Sequence, residues 1–242
     1  MTADGSITFV DQTGSTNADL VAALKSAKLP REGDWLIARR QVAGRGRQGR
    51  EWFDGSGNFM GSTVVAIHRS DPPASSLGFV AALAVARTLD EELEGAAAVQ
   101  LKWPNDVLIE GGKAAGLLLE MVDRTVVIGM GVNLARAPEI PGRQTACVAE
   151  HIRKVPEVEE FANVIISHFA EMLAWWRSGG LDPVLEAFLA RSIHAVGSAV
   201  SVHDTDGSRV SGTFAGLEPL DGALRLRLAD GSCRVIRAGD LD

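Results

Sequence analysis

The sequence contains few cysteines and no arrangement of metal ligands. Cys147 and Cys233 lie far apart, and the five histidines form no His-x-x-x-His pair, so neither a disulfide framework nor a zinc site is predicted. No apolar run approaches the roughly 18 residues that a membrane span requires, and the N-terminus lacks a basic segment followed by an apolar one. We therefore expect a cytoplasmic protein that is neither exported nor bound to a membrane.

Positive charge is also scarce, because 24 lysines and arginines face 31 aspartates and glutamates, for a net charge of −7. An acidic chain of this kind is not typical of proteins that bind nucleic acid through general electrostatic attraction. Hydrophobic residues make up 46% of the 242 residues, which permits a substantial core and excludes a disordered protein.

One segment departs from this acidic background, the stretch between residues 41 and 50, which we call the arginine segment. It begins with Gln41 and then alternates glycine with arginine: Gly44, Arg45, Gly46, Arg47, Gly49 and Arg50. Glycines let the backbone adopt positive φ angles and bring its N–H groups close to a ligand. Arginines add permanently charged forks that match phosphate or carboxylate oxygens. The segment suits a small anion, although taken in isolation a flexible, solvated basic loop is the more common explanation of such a stretch.

A second polar stretch follows a short predicted strand and consists of Lys102, Trp103, Pro104, Asn105 and Asp106. Pro104 restricts the residue before it to extended geometry and removes a backbone donor, which fixes the polar groups at the end of the strand. A lysine, an amide and a carboxylate held together favour a ligand site. The alternative is an Asn-Asp turn that follows a surface lysine.

Two further stretches are candidates for contact with a ligand. Ser15, Thr16 and Asn17 precede an apolar pattern of helical spacing, so they are plausible helix caps or, alternatively, a polar cradle for a carbonyl or ureido group. The small residues at 114–116 permit close approach of a ligand or a neighbouring backbone.

The periodicity of apolar residues predicts a large domain of mixed strands and helices followed by a small β module. Strands are predicted at 7–10, 35–38, 58–67, 99–102, 107–109, 113–121 and 125–132, and helices at 18–24, 75–94, 157–177 and 182–191. Four short strands follow, at 199–203, 209–217, 223–228 and 233–237. Turns at Asp206-Gly207, Asp221-Gly222 and Asp230-Gly231 separate these four strands.

Taken together, the unusual stretches closely resemble those of bacterial biotin protein ligases, which activate biotin with ATP and transfer it to a lysine of a carrier protein. The resemblance rests on Ser15-Thr16-Asn17, Gln41 with the glycine and arginine segment, Lys102-Trp103-Pro104-Asn105-Asp106, Lys113-Ala114-Ala115-Gly116 and Gly131-Val132-Asn133. It implies an α+β fold, in which a mixed sheet with flanking helices of the class II synthetase type spans 1–194 and an SH3-like β-barrel spans 195–242. The ligase pattern starts within the first twenty residues, so we do not expect the N-terminal DNA-binding module of many relatives, or DNA as a partner.

The resemblance also implies roles for individual residues. The biotin contacts it implies are Ser15, Thr16, Asn17, Gln41, Gly44, Arg45, Gly46, Arg47, Lys102 and Gly116. The ATP or adenylate contacts are Arg45, Arg47, Arg50, Trp52, Lys102, Asn105, Asp106, Lys113 and Asn133. Of these, Lys102, Arg45 and Arg47 are implied to be catalytic, because two anions must be brought together and their repulsion compensated.

The substrates and partners follow from the same resemblance. ATP and biotin are the implied substrates, Mg²⁺ accompanies ATP, and Asp106 is a candidate ligand for that ion. The acceptor is expected to be a biotin carboxyl carrier protein or domain of acetyl-CoA carboxylase or of another biotin-dependent carboxylase. A homodimer is expected as well. One departure from the family pattern is Met60-Gly61, where relatives usually carry aromatic residues or leucine.

Three other functions are compatible with part of the sequence. Lipoate ligases share the expected fold, and a non-catalytic biotin sensor would use the same pocket. Gly44, Gly46 and Gly49 also satisfy the G-x-G-x-x-G pattern of dinucleotide-binding oxidoreductases, with Asp71 about 20 residues further on. The oxidoreductase interpretation is weak because no amphipathic helix follows these glycines.

Overall fold

The computed structural model describes residues 5–26, 29–53, 55–203 and 208–241. Its larger part is built on a seven-stranded sheet whose strands are β1 (Ile7–Val10), β2 (Trp35–Ala38), β3 (Phe59–Ala66), β4 (Val99–Lys102), β5 (Asp106–Ile109), β6 (Gly112–Val122) and β7 (Thr125–Val132). Their order is β1-β2-β3-β7-β6-β5-β4. The pair β1 and β2 is parallel and the other pairs are antiparallel, so the sheet is mixed, as predicted.

Helices cover both faces of this sheet. They are α1 (Thr16–Leu24), α2 (Leu77–Leu93), α3 (Val158–Gly179) and α4 (Asp182–Ala190). Helix α1 packs on one face, where its Leu20 meets Val64 and Val127, while α2, α3 and α4 belong to the larger core on the other face. The predicted arrangement of a mixed sheet with flanking helices is confirmed. Among the described residues, no helix has the length and hydropathy that crossing a membrane would require.

A second, smaller sheet follows α4. Its strands are β8 (Ala199–His203), β9 (Arg209–Leu217), β10 (Leu224–Arg227), β11 (Cys233–Ile236) and β12 (Asp240–Leu241), in the antiparallel order β11-β10-β9-β8-β12. This separate antiparallel sheet agrees with the expected SH3-like module. The sequence did not predict β12, and the turn predicted at Asp206-Gly207 lies outside the described residues. The boundary between 194 and 195 stays a prediction.

The two sheets are joined through Gly222, which lies in the turn before β10. The indole of Trp103 donates a hydrogen bond of 3.2 Å to the Gly222 carbonyl. A Cβ on Gly222 would stand 2.7 Å from the ring of Phe79, which itself packs edge-on against Phe188 at 4.8 Å. A φ of +73° at Gly222 also favours glycine. Trp103, predicted as part of a ligand motif, is therefore buried between the two sheets.

The Met60-Gly61 departure has a packing explanation. A Cβ on Gly61 would stand 2.5 Å from the tip of the Phe59 ring, so Phe59 fills the space that a side chain at 61 would need. Phe59 is fully buried and meets Phe161 at 5.4 Å between ring centroids. A large residue at 59 and none at 61 together fill this part of the core.

Candidate functional site

A cavity of about 1050 Å³ opens on the face of the large sheet that carries α1. Alternate residues of a strand point to opposite faces, and Ser62 on β3 and Gly129 on β7 lie directly opposite each other. Gly116 and Gly131 on β6 and β7 are paired in the same way, and Asp106 on β5 is opposite Gly116. These positions form the floor of one cleft, although they come from four separate strands.

Glycines form this floor because aromatic and amide side chains lie directly on it. A Cβ on Gly131 would stand 2.5 Å from the indole nitrogen of Trp52, and one on Gly116 would stand 2.8 Å from the same ring. A Cβ on Gly129 would stand 2.9 Å from the Asn17 amide carbon. The Trp52 indole nitrogen is buried and has no hydrogen-bond partner among the residues that the structure describes. The cleft therefore holds an aromatic ring against a floor that carries no side chains.

A hydrogen-bonded wall stands at one end of the cleft, where α1 begins. Ser15 caps the helix by accepting the Ala18 N–H at 3.5 Å, which confirms the predicted cap. The side-chain oxygen of the buried Gln41 accepts hydrogen bonds from the Thr16 backbone N–H at 2.7 Å and from the Thr16 hydroxyl at 3.0 Å. The start of the helix and the start of the arginine segment are thus fixed to each other.

The wall continues through Asn17, whose amide donates to the Leu118 carbonyl at 3.3 Å and to the Glu120 carboxylate at 2.9 Å. Because Asn17 donates through its nitrogen, its oxygen must accept, and the Ser62 hydroxyl donates to it at 2.7 Å. Ser62 also lies 2.7 Å from the Thr16 hydroxyl. Ser62 was not predicted as a site residue, and only its alternation with the core positions of β3 marks it in the sequence.

The arginine segment is folded rather than loose. The Gly46 N–H donates to the Arg50 carbonyl at 2.6 Å and the Trp52 N–H to the Gly44 carbonyl at 3.0 Å, which closes a tight hairpin-like loop. A short 3₁₀ turn covers Arg47–Gly49 at its tip. Arg45 is exposed at the rim of the cleft, while Arg47 is partly buried and points toward the strand-end motif.

Arg47 joins three parts of the chain. Its guanidinium donates to the Asn105 side-chain oxygen at 2.9 Å and to the Gly239 carbonyl at 3.4 Å, and it lies 3.9 Å from the Asp240 carboxylate. Burial lowers the pKa of Arg47, and the neighbouring carboxylates of Asp240 and Asp106 partly offset this effect. The arginine segment and the Asn105 motif, which the sequence predicted separately, are therefore in direct contact.

Asp240 accepts from two more arginines, Arg50 and Arg143, the latter at 3.4 Å. Burial alone would raise the pKa of the Asp240 carboxyl, but Arg50, Arg47 and Arg143 outweigh it and hold that pKa below its ordinary value. Neither Asp240 nor Arg143 was predicted as a site residue. Asp240 belongs to β12, a strand that the sequence did not predict, and Arg143 belongs to the loop at 136–144, which the sequence marks by its length and its two prolines.

The lysine that lines the cleft is Lys113. Its ammonium donates to Asp106 at 2.6 Å and lies 5.9 Å from the centroid of the Trp52 ring. Lys102 is opposite Asp106 in the pair of β4 and β5, so it shares the face of the cleft but lies one strand further out, and it is not part of the lining. The catalytic role expected for Lys102 stays a prediction, and Lys113 is a second lysine whose ammonium lies at the cleft.

The remaining predicted site residues line the cleft as a group. They are Ser15, Thr16, Asn17, Gln41, Gly44, Arg45, Gly46, Arg47, Arg50, Trp52, Asn105, Asp106, Lys113, Gly116 and Asn133. Among the residues that the structure describes, five basic and three acidic side chains line this cavity, a local formal charge of +2 in a chain whose net charge is −7. Such a cleft suits an anion larger than one carboxylate. In the described part of the chain, no cluster of three or more histidine, cysteine, aspartate or glutamate side chains could hold a metal ion.

Asn133 is buried and its amide donates to the Ala146 carbonyl at 3.2 Å and the Lys113 carbonyl at 3.4 Å. It fixes the end of β7 to the backbone beside the cleft lysine. The fully buried Asn58 lies next to Asn133. Its side-chain oxygen accepts hydrogen bonds from the backbone N–H groups of residues 134, 135 and 136, at 3.0 to 3.1 Å. Asn58 thereby shapes the loop that forms the far wall of the cleft, and it was not predicted.

We expect Asn58→Ala to lower the free energy of unfolding by about 3 kcal/mol, because three buried N–H groups lose their acceptor. Urea denaturation measures this change. Asn58→Asp is the comparison, since it keeps an oxygen for the three N–H groups, while it loses the donor to the Arg136 carbonyl and to the Asn133 side-chain oxygen and adds a buried charge. Equal losses in the two variants would contradict the role assigned to the oxygen.

Comparison with known proteins gives a consistent result. The model of the biotin/lipoate A/B protein ligase family matches residues 9–133. A biotin–acetyl-CoA-carboxylase ligase of Paracoccus denitrificans is 38% identical over 226 residues, which is 89% of this chain and 92% of that protein. A ligase of the same name from Mycobacterium tuberculosis is 34% identical over 96% of this chain and 86% of its own length. The solved biotin protein ligase from Aquifex aeolicus, in complex with biotin and ATP, superposes with a TM-score of 0.82 at 23% identity, over 98% of this chain and 97% of that one.

Proposed function

The chain belongs to the biotin/lipoate A/B protein ligase family, and from this premise we propose how its cleft works. The protein is a biotin protein ligase, which adenylates biotin with ATP and transfers the biotinyl group to a lysine of an acceptor protein. Arg47, Lys113 and Asn105 lie together in the cleft beside the polar wall, and this arrangement is the main support for placing the reaction there.

The polar wall suits the head group of biotin. A ureido group offers one oxygen that accepts hydrogen bonds and two N–H groups that donate them. The hydroxyls of Ser15, Thr16 and Ser62 can do either, and the amides of Asn17 and Gln41 supply both atoms. We assign these residues to the ureido head, with the bare floor at Gly116 under the fused rings.

In the first step, the carboxylate of biotin attacks the α-phosphate of ATP, a carboxylate–phosphate bond forms, and pyrophosphate leaves. Both reactants are anions, so their approach requires compensation by fixed positive charge. Arg45 and Arg47 supply guanidinium groups from the arginine segment, and Lys113 supplies an ammonium group from β6. The contact of Lys113 with Asp106 supports this role, because the carboxylate holds the ammonium in the cleft until the substrates arrive.

Mg²⁺, when bound with ATP, neutralises part of the triphosphate charge. Asp106 is the residue that we propose as its ligand, since Mg²⁺ commonly takes only one or two protein carboxylates and fills its other positions with phosphate oxygens and water. We propose Asn105 for orienting the phosphates, and Asn133 with the loop at 136–144 for the contact with adenine. Lys102 is retained as a second cation near the same face.

The second step places a lysine amine of the acceptor on the mixed anhydride, which forms the amide and releases AMP. The anhydride hydrolyses in water, so the cleft has to exclude solvent until the acceptor arrives. Trp52 lies on the floor next to Lys113, where its ring can cover the adenylate. The acceptor is a biotin carboxyl carrier domain, and we further propose a homodimer and a cytoplasmic location.

Biotin-dependent exchange of labelled pyrophosphate into ATP tests the proposal. We expect the purified protein to catalyse this exchange with biotin and to be slower with lipoate by roughly a hundredfold or more, because lipoate has no ureido group that can form hydrogen bonds with the polar wall. Comparable rates with both acids would favour a lipoate ligase. Binding of biotin without any exchange would favour a non-catalytic sensor.

A further inference from the structure

Three arginines from two loops converge on one carboxylate at the end of the small sheet. Arg50 and Arg143 both donate to Asp240, and Arg47 lies 3.9 Å from it. Asp240 lines the same cavity as Lys113 and the polar wall. A carboxylate with three guanidinium groups around it occupies the kind of position that a phosphate group takes in an anion site.

The small sheet holds this carboxylate firmly in place. Asp240 and Leu241 form β12 and pair with His203 and Val202 of β8, and the Leu241 side chain is buried. Gly239 before them has a φ of +147°, and a Cβ there would stand 2.6 Å from the His203 carbonyl. Among the described residues of the small sheet and its turns, Asp240 is the acidic residue that lines the cleft.

The mechanism described above gives Asp240 no task, and its charge opposes the substrate. ATP carries its negative charge on the triphosphate, and the guanidinium groups that would attract it are already partly neutralised. A carboxylate and a phosphate oxygen compete for the same N–H donors. The arginine segment can therefore be held either by Asp240 or by the nucleotide, and each phosphate that binds has to take donors away from the carboxylate.

We propose that Asp240 is an internal substitute for the phosphates of ATP, which holds Arg47, Arg50 and Arg143 in the absence of nucleotide and yields them when the triphosphate binds. This inference rests on the proposed function, because it assumes that these arginines receive ATP. It couples the small sheet to the arginine segment in the nucleotide-free enzyme. It also makes the binding of any polyphosphate weaker than the arginines alone would allow.

Asp240→Asn tests the inference in the full chain, since the amide keeps the shape of the side chain and removes its charge. We expect the dissociation constants of MgATP and of inorganic pyrophosphate to fall about three- to fivefold, the size expected when one partly exposed opposing charge is removed. Adenosine, which has no phosphate, should bind unchanged. Isothermal titration calorimetry measures all three ligands on the same protein.

Asp221→Asn is the matched control, because Asp221 pairs with Arg237 at 2.8 Å in the same small sheet and is not part of the cleft lining. It should alter none of the three affinities. Weaker or unchanged binding of pyrophosphate by Asp240→Asn would overturn the inference, and weaker binding would instead mean that Asp240 positions the arginines for the nucleotide. A wild-type protein without exchange activity would overturn the proposed function, while the pyrophosphate comparison would still decide the role of Asp240.

Trypsin gives a second measurement that separates local release from unfolding. Without nucleotide, Asp240→Asn should be cleaved at the arginines of 45–50 at least severalfold faster than the wild type or Asp221→Asn, and MgATP with biotin should protect all three proteins. Cleavage that increases equally throughout the chain would indicate general destabilisation and would count against the proposal that Asp240 holds the arginine segment locally.

Discussion

Replacing Lys113 with alanine is expected to lower the rate of biotin-dependent ATP–pyrophosphate exchange by about two to three orders of magnitude. The ammonium of Lys113 is the lysine charge that lines the cleft, and loss of one fixed donor at a developing charge has an effect of about this size. Removing it also leaves the Asp106 carboxylate, which accepts from Lys113 at 2.6 Å, as an uncompensated negative charge beside two anionic substrates.

Lys102→Ala is the informative comparison, because the sequence analysis assigned the catalytic charge to Lys102. That residue is on the same face but one strand further out, so we expect its replacement to reduce exchange by less than about tenfold. Lys113→Arg keeps the charge and tests whether charge alone suffices. A loss of exchange in Lys102→Ala that equals or exceeds the loss in Lys113→Ala would return the central role to Lys102.

Arg47→Gly is expected to release free biotinyl-adenylate about 10 to 100 times faster than the wild type. The Arg47 guanidinium connects the arginine segment to the Asn105 side chain and to the Gly239 carbonyl. The loss of one charge-assisted hydrogen bond corresponds to a change in rate of about this size. Without this connection, the segment closes less often over the anhydride. The released intermediate should then modify exposed lysines of unrelated proteins.

The rate of release is measured by trapping preformed adenylate with excess unlabelled biotin and ATP. Arg87→Gly serves as the control, because Arg87 in α2 pairs with Glu171 in α3, on the face of the sheet opposite the cleft. It should retain the intermediate as the wild type does. If Arg47→Gly also retains it, then the segment does not act as a cover, and the water-excluding role would pass to Trp52 alone.

The glycine pattern of the arginine segment shows how tertiary context decides between two chemical interpretations. In a dinucleotide site, the third glycine opens a helix whose N-terminus holds the pyrophosphate. Here Gly49 ends a single 3₁₀ turn, and the next regular element is the strand β3. The guanidinium groups, rather than a helix N-terminus, therefore supply the positive charge in this cleft.

The local sequence was sufficient to determine most of the regular elements. Periodic apolar positions identified the strands of the large sheet and helices such as α2, because these elements bury a face whose spacing depends only on the local backbone geometry. Ser15, Thr16 and Asn17 were all plausible caps in the sequence, and the structure shows that Ser15 caps α1. The motifs also carried the family resemblance, since their residues are close together along the chain.

The tertiary structure alone decided which charged groups meet. Arg50 and Asp240 are 190 positions apart, and β12, which carries Asp240, is too short for a periodic pattern. The sequence predicted a catalytic role for Lys102 and only a nucleotide contact for Lys113, and the order of β4, β5 and β6 is what puts Lys113 nearer the centre of the cleft. Spacing along the chain reports on neighbours within one element, whereas contacts between electrostatic partners depend on how separate elements pack.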